Sequence, residues 1–205
     1  MTEGFTTEKV KLAMGRISNK MKANQDALNT IDGQLGDGDI GLSMVDALNG
    51  IEAKLDELPE DVGMALFQCA QSLASTGGSS FTTLIATGLM GAAKAARGKT
   101  VVPWDGLPDL LGVAIDKMAA RGRSQLGDKT VLDALEAVRV GILGTAQPDQ
   151  MLKAAGQAVE DALDTFRTKP CKQGRARIFG DKSVGLDDPG MVVIKHIVAA
   201  LRSTT

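Results

Sequence analysis

The sequence is poor in aromatic residues, histidine and cysteine. Phenylalanine, tryptophan and tyrosine together make up 3% of its 205 residues, tyrosine is absent, and there is one histidine. Few aromatic side chains are available for stacking on bases, and the net charge is −2, so the composition argues against a nucleic-acid-binding protein. The two cysteines, Cys69 and Cys171, lack the spacing of a metal site or a disulfide framework, which is typical of a reducing compartment. We therefore expect a cytoplasmic protein.

Long apolar runs are also missing. The longest, from Leu84 to Ala93, is interrupted by Thr87 and glycine and is far shorter than a bilayer span. The first eleven residues are polar and mixed in charge, without the apolar core of a signal peptide. We expect a soluble protein with no membrane partner. Because the length suits one substantial core, residues 1–205 are predicted to form a single domain.

Helical periodicity is what the sequence has in abundance. Apolar residues recur with a period near 3.6 along eight segments, and no segment shows the alternation that predicts a strand. Pro59, Pro148 and Pro189 stand where a helix is expected to end or begin. The segments cover about residues 10–31, 44–58, 62–73, 80–96, 107–118, 128–142, 148–166 and 189–201. The prediction is an all-α fold, an antiparallel up-and-down arrangement of eight helices.

In such an arrangement every second connection emerges at the same end of the molecule. The connections after helices one, three, five and seven are polar and rich in glycine, whereas the others look like plain linkers. Those four connections are residues 32–41, 76–80, 121–130 and 169–188. One end of the molecule is therefore predicted to carry the chemistry.

The first connection places Asp32, Asp37 and Asp39 among four glycines within ten residues. Three crowded carboxylates repel one another, so a hard divalent cation is the expected partner. The glycines let the backbone approach a ligand closely. A solvated turn is the alternative, since aspartate and glycine are common turn residues. A calcium-sensing EF-hand loop is excluded because Leu48 stands where its bidentate glutamate is required.

The second and fourth connections supply features that suit an anion. Gly78, Ser79 and Ser80 lead into helix four, whose free N–H groups and dipole favour a phosphate; a glycine C-cap followed by a serine N-cap is the alternative. The fourth connection holds the densest basic run, in which one arginine can stabilise a transferring phosphoryl group, although such runs are usually solvated surface. The histidine, His196, lies among apolar neighbours, so we predict a structural role for it and no phospho-histidine relay.

Four stretches together resemble the L subunit of dihydroxyacetone kinase, equivalently the nucleotide-binding C-terminal domain of single-chain dihydroxyacetone kinases. They are residues 28–44, residues 77–80, residues 127–133, and residues 174–176 with 185–190. The resemblance implies an eight-helix antiparallel barrel that binds ADP or ATP with two Mg²⁺ ions at one end. It implies a phosphotransferase that acts on a small ketose, such as dihydroxyacetone, held covalently by a histidine of a separate subunit or domain.

The resemblance also implies roles for individual residues. Asp32, Asp37 and Asp39 match the Mg²⁺ ligands, and Arg175 is the predicted catalytic residue. The residues predicted to bind the nucleotide are Gly41, Ser43, Met44, Gly78, Ser79, Ser80, Gly127, Thr130, Leu132, Arg175, Asp188, Pro189 and Gly190.

Several positions depart from the family pattern, and they keep alternatives open. Ile40, Ser43 and Leu186 replace polar residues that are usual there, and Phe81 replaces a usual glycine. A nucleotide-binding regulatory or adaptor protein that has lost phosphoryl transfer is therefore the second hypothesis, and a metal-binding helical bundle without nucleotide is the third. The phosphate donor is either ATP or a phosphoprotein of a phosphotransferase system that recharges a resident ADP.

Overall fold

Eight α-helices form the framework of the part that this computed structural model describes, residues 4–75 and 78–202. Gly77, which belongs to the predicted phosphate loop, lies outside the described residues. The helices are α1 Thr7–Leu35, α2 Ile40–Glu52, α3 Val62–Ser75, α4 Ser80–Ala96, α5 Leu107–Gly122, α6 Val131–Gly141, α7 Pro148–Arg167 and α8 Pro189–Arg202. Short 3₁₀ segments cover Leu55–Glu57, Trp104–Gly106 and Arg175–Ser183. The all-α prediction is confirmed.

The helices close into a ring. Each helix packs against the next one along the chain, and α1 also packs against α8. The apolar stripe of every helix faces a shared core that includes Val10, Met21, Leu28, Leu132 and Val193, each buried. Removal of these stripes from water is the main favourable term in folding. None of the described helices is both long and apolar enough to cross a bilayer.

The prediction of no strand is wrong in one place. Residues Gly4–Thr6 (β1) pair antiparallel with Val101–Pro103 (β2), with Phe5 opposite Val102. Three-residue strands are too short to show alternation, and their partners are far apart in sequence, so periodicity gave no sign of them. This ribbon lies before α1 and ahead of α5, away from the predicted functional end.

Three predicted helix boundaries also need correction. Helix α1 continues to Leu35, so Asp32 lies on its last turn instead of in a loop. Helix α2 begins at Ile40 and ends at Glu52, well before Pro59, and a 3₁₀ turn fills the remainder. Helix α6 begins at Val131 because Thr130 and Asp133 form a capping box there.

Candidate functional site

The carboxylate of Asp32 organises the segment between α1 and α2. Its Oδ2 atom accepts hydrogen bonds from the backbone N–H groups of Gly38 (3.0 Å), Asp39 (3.0 Å) and Ile40 (3.3 Å). Gly38 has a φ of 77°, a left-handed conformation that favours glycine. The acidic side chain thus holds the turn that carries Asp37 and Asp39.

A second side chain of α1, which sequence reasoning missed, completes this anchor. The Oδ1 atom of Asn29 accepts hydrogen bonds from the backbone N–H groups of Gly41 (2.8 Å) and Leu42 (3.2 Å), so it caps α2. A Cβ atom at Gly41 would clash with the backbone carbonyl of Gln25, which explains the glycine at this crossing. The signal in the sequence was weak, because an asparagine on the surface of a helix is common.

Asp32, Asp37 and Asp39 form a compact cluster of carboxylates. One oxygen atom of each lies within 4.8 Å of the others, with Asp32 buried and the other two exposed. Mg²⁺ and Ca²⁺ prefer oxygen ligands, so the chemistry of this donor set fits a hard cation. The guanidinium group of Arg175 forms an ion pair with Asp37 and offsets part of the negative charge.

A cavity of about 700 Å³ opens beside this cluster. It lies between three helix N-termini, those of α4, α6 and α8. The dipole at a helix N-terminus favours an anion, and at α8 the carboxylate of Asp188 already accepts the N–H group of Met191. Its walls come from all four connections that the helix count assigned to one end. They include Asp32, Asp37, Asp39, Ile40, Gly78, Ser79, Ser80, Phe81, Arg121, Thr130, Arg175, Asp188, Pro189 and Gly190.

The caps of these three helices are short polar side chains. Ser79 Oγ accepts a hydrogen bond from the N–H of Thr82 (3.4 Å), and Thr130 caps α6. Asp188 Oδ1 accepts one from the N–H of Met191 (2.9 Å) at the start of α8, as expected for a capping residue before a first-turn proline. Gly78 has a φ of 89°, so the chain turns sharply into α4.

Not all predicted nucleotide-binding residues line this cavity. Among the described residues, Gly41, Ser43, Met44, Gly127 and Leu132 lie outside its walls. Met44 and Leu132 are buried in the core, and Gly127 donates its backbone N–H to Asp133 Oδ1 at 2.6 Å. For these five residues the prediction of nucleotide binding stays a prediction.

Residues 169–187, called the basic loop below, cover the cavity from one side. Arg175 and Arg177 are exposed on it. Arg167, just before the loop, makes a bidentate ion pair with Asp187, with N···O distances of 2.8 and 3.1 Å. The hydrogen bonds to Asp187 and Asp164 raise the pKa of Arg167. The pair with Asp187 joins the end of α7 to the end of the basic loop.

The departures from the family pattern fall on packed positions. Leu186 lies against a small apolar cluster of Leu35, Cys171 and Ala176, which fastens the basic loop to the end of α1. Ile40 is buried in the cavity wall, and Phe81 lines the same cavity. His196 is half-buried on α8, and burial, followed by Lys20 and Lys195, lowers its pKa below the usual value.

Sequence reasoning gave no role to two charged groups buried at this end, Lys129 and Asp133. The side chain of Lys129 is 1% exposed. Burial raises the pKa of Asp188 to about 7, while the N–H of Met191 and the charge of Lys129 partly oppose the shift. Burial also raises the pKa of Asp133, against the hydrogen bonds that it accepts from Gly127 and Thr130. The motif that contains Lys129 was visible in the sequence, but its burial was not.

The ring of helices and the cavity define the class of protein: an all-helical barrel with a carboxylate cluster and several anion-accepting helix N-termini at one end. The chain belongs to the DAK2 domain family, whose domain matches residues 34–203. This confirms the resemblance found in the sequence.

Relatives and solved structures agree with this membership. The chain is 27% identical over 179 residues to the Escherichia coli "PEP-dependent dihydroxyacetone kinase, ADP-binding subunit DhaL", covering 85% of each chain. It is 30% identical to the ADP-binding subunit DhaL of PEP-dependent dihydroxyacetone kinase 2 from Listeria innocua, covering 83% of this chain and 82% of that one. The dihydroxyacetone kinase of C. freundii, solved with AMP-PNP and Mg²⁺, shares the fold with a TM-score of 0.76 at 21% identity. The match covers 98% of this chain and 35% of that much longer one.

Proposed function

We propose that this chain is the nucleotide-binding subunit of a dihydroxyacetone-kinase-type phosphotransferase. It binds ADP or ATP with Mg²⁺ and passes phosphate to a small ketose that a separate subunit holds. The observation that carries the proposal is the meeting of three carboxylates and three helix N-termini in one cavity. A metal-bridged nucleotide requires both, because its phosphates need a cation on one side and N–H donors on the other.

In this proposal Asp32, Asp37 and Asp39 hold Mg²⁺, which when bound screens the phosphate charges and polarises the phosphorus centre. The backbone N–H groups at the start of α4 bind phosphate oxygens, with Ser79 and Ser80 beside them. Asp32 has a second task, because its hydrogen bonds keep the other two carboxylates at the cavity edge. Two relatives are named as ADP-binding subunits, which supports ADP as the nucleotide.

Arg175 is the proposed catalytic residue. Its guanidinium group lies at the junction of the cavity and the carboxylate cluster, where it pairs with Asp37. A metal held by the cluster would compete for Asp37, and the guanidinium group of Arg175 would then be available to the phosphates. A guanidinium there stabilises the charge that develops as the phosphoryl group leaves one oxygen and bonds to the ketose hydroxyl.

The ketose and its covalent anchor are assigned to a partner subunit. Beside the main cavity a second hollow opens between Asp37 and the basic loop, with Arg175, Arg177, Ile178 and Phe179 in its walls. Ile178 is 79% exposed, which is unusual for a large apolar side chain next to a cavity. We propose that an acidic face of the ketose-binding subunit covers this rim. Five exposed side chains of the basic loop are positively charged: Lys169, Lys172, Arg175, Arg177 and Lys182.

The donor is proposed to be a phosphoprotein that recharges a resident ADP, as the names of the ADP-binding, PEP-dependent relatives suggest. We also place the protein in the cytoplasm, which the two unpaired cysteines support.

A divergent regulatory role is the second candidate, favoured by the apolar packing of Leu186 and the burial of Ile40. Turnover in the presence of a ketose-binding partner would exclude that role.

The first experiment is mass spectrometry of nucleotide released from the purified, denatured protein, followed by calorimetry with ADP and ATP in the presence and absence of Mg²⁺. Stoichiometric ADP after purification is the expected result. Free exchange of Mg·ATP would instead indicate a directly ATP-dependent kinase. An absence of binding to either nucleotide would overturn the proposal and leave a metal-binding helical bundle.

A further inference from the structure

Lys129 is a buried cation that contacts both ends of the basic loop. It lies just before α6 in the left-handed region, with a φ of 62°. Its Nζ atom donates hydrogen bonds to the backbone carbonyl oxygens of Lys169 and Ser183, each at 2.8 Å. Those two carbonyls stand fourteen residues apart, so one ammonium group bridges the beginning and the end of the loop.

The surroundings of Lys129 explain why a charge is tolerated there. Burial lowers the pKa of Lys129, and the nearby groups Cys171, Asp188 and Asp187 oppose that shift, while Arg167 adds to it. A buried ammonium group is costly unless it is hydrogen-bonded and has negative partners. The charge of Asp188, which lines the cavity at the start of α8, is one such partner, although burial raises the pKa of Asp188 itself to about 7. The ammonium group therefore contacts the loop directly and interacts electrostatically with a residue of the cavity wall.

Other hydrogen bonds converge on the same base of the loop. The N–H of Lys172 donates to the carbonyl of Asp128 (3.0 Å), and the N–H of Cys171 donates to Ser183 Oγ (2.7 Å). The N–H of Gly185 donates to the carbonyl of Arg167 (2.8 Å). The 3₁₀ segment Arg175–Ser183, interrupted at Gly180, begins with Arg175 at the cavity wall and ends with Ser183 in this base. The position of Arg175 thus depends on a base whose central cation is Lys129.

We propose that Lys129 is a positioning residue for the nucleotide site: it joins the two ends of the basic loop and so keeps Arg175 at Asp37 and over the cavity. Its effect on nucleotide rests on the proposed function, whereas its effect on the loop does not. Loss of the ammonium group leaves the buried carbonyl of Ser183 and the partly buried carbonyl of Lys169 without their donor, and water must enter to satisfy them. The loop then opens more often, and a bound nucleotide escapes faster.

The test compares Lys129→Met and Lys129→Gln with the wild type and with Val62→Ala. The glutamine keeps an amide NH₂ group that can donate to a carbonyl, but it is neutral and one bond shorter than lysine, so its effect is expected to be intermediate. Val62 is fully buried at the beginning of α3, at the opposite end of the molecule, so its truncation lowers stability without touching the loop. Hydrogen exchange of the nucleotide-free proteins, followed by mass spectrometry of peptides from residues 169–187, reports on the loop. Stopped-flow release of a fluorescent ADP analogue in the presence of Mg²⁺ reports on the nucleotide.

The expected result is an order of effects: exchange in the basic loop and ADP release both rise from wild type to Lys129→Gln to Lys129→Met, with at least tenfold faster release in the last. Val62→Ala should lose about as much global stability as the lysine variants, but its loop exchange and its ADP release should equal those of the wild type. Unchanged loop exchange in the lysine variants, or an equal change in Val62→Ala, would overturn the inference. Should the wild type bind no Mg·ADP, the proposed function fails, while loop exchange still decides the role of Lys129.

Discussion

The guanidinium group of Arg175 forms an ion pair with the carboxylate of Asp37. One partner belongs to the carboxylate cluster and the other to the basic loop, so the pair joins two segments that are more than a hundred residues apart in the chain. It also means that the cluster already has a cation next to it before any metal arrives. A metal ion that binds the cluster would compete with Arg175 for the carboxylate of Asp37.

Replacement of Arg175 by glutamine should therefore strengthen metal binding in the absence of nucleotide. Removal of a competing charge beside three carboxylates is expected to raise the affinity for Mn²⁺ by about tenfold, equivalent to about 1.4 kcal/mol. Titration followed by electron paramagnetic resonance measures this directly. Arg177→Gln is the matched control, because it removes the same charge two residues away. An equal gain in both variants would show a general charge effect and no specific competition.

Variants of Asp32 and Asp39 should differ in stability although both weaken metal binding. Asp32→Asn weakens three hydrogen bonds to the turn, so we expect the free energy of unfolding to fall by about 1–3 kcal/mol. Asp39→Asn removes an exposed carboxylate from a cluster of like charges, so stability should hold or rise. Both should weaken Mn²⁺ binding. Urea denaturation and Mn²⁺ titration of the two variants test the pair, and equal stability of both would contradict the role given to Asp32.

Ser80→Asp should stabilise the protein and weaken nucleotide binding. A carboxylate in the first turn of α4 interacts favourably with the helix dipole, worth about 0.3–1 kcal/mol. The same charge lies in the cavity wall, where it repels phosphate and should lower the affinity for Mg·ADP by at least about tenfold. Thermal denaturation and calorimetry measure the two effects. Ser80→Asn, similar in shape to the aspartate but neutral, should lose less affinity than Ser80→Asp. An equal loss in both variants would show that size and not charge is responsible.

Asp188 should impose a pH dependence on stability. Its pKa in the folded protein is about 7, above the usual value of about 3.9 for an exposed aspartate. The folded state therefore binds more protons than the unfolded state between these values, and the contribution of this group is complete below about pH 4 and lost as the pH rises through 7. Relative to Asp188→Asn, the wild type should lose about 2–3 kcal/mol between pH 5 and pH 8.

Urea denaturation of wild type and Asp188→Asn at several pH values provides the measurement. Asp133 has a raised pKa that acts in the same direction, and His196 has a lowered pKa that acts in the opposite direction. Both groups are present in the two proteins, so the difference between them isolates Asp188. Stability curves that stay parallel from pH 5 to pH 8 would show that Asp188 is not held protonated by burial.

Much of the fold was predictable because its causes are local. Apolar residues with a period of 3.6 indicate a helix that buries one face in the common core. Glycine, proline and short polar residues mark the ends of such helices. The alternation of polar connections with plain linkers placed the cavity at one end, and the cavity walls contain residues from all four polar connections. The boundaries were less predictable. Helix α1 continues through Asp32 because the carboxylate of Asp32 accepts hydrogen bonds from backbone N–H groups of the following turn. No local sequence pattern indicates this interaction.

The sequence by itself determined the class of fold, the family and the end of the molecule that carries the chemistry, since periodicity, glycine spacing and crowded carboxylates act over a few residues. Tertiary structure alone decided the rest. The burial of Lys129, the raised pKa of Asp188 and the pairing of Arg175 with Asp37 each require segments that are distant in the chain to meet. Desolvation and ion pairing depend on what surrounds a group, and those surroundings exist only once the ring of helices has closed.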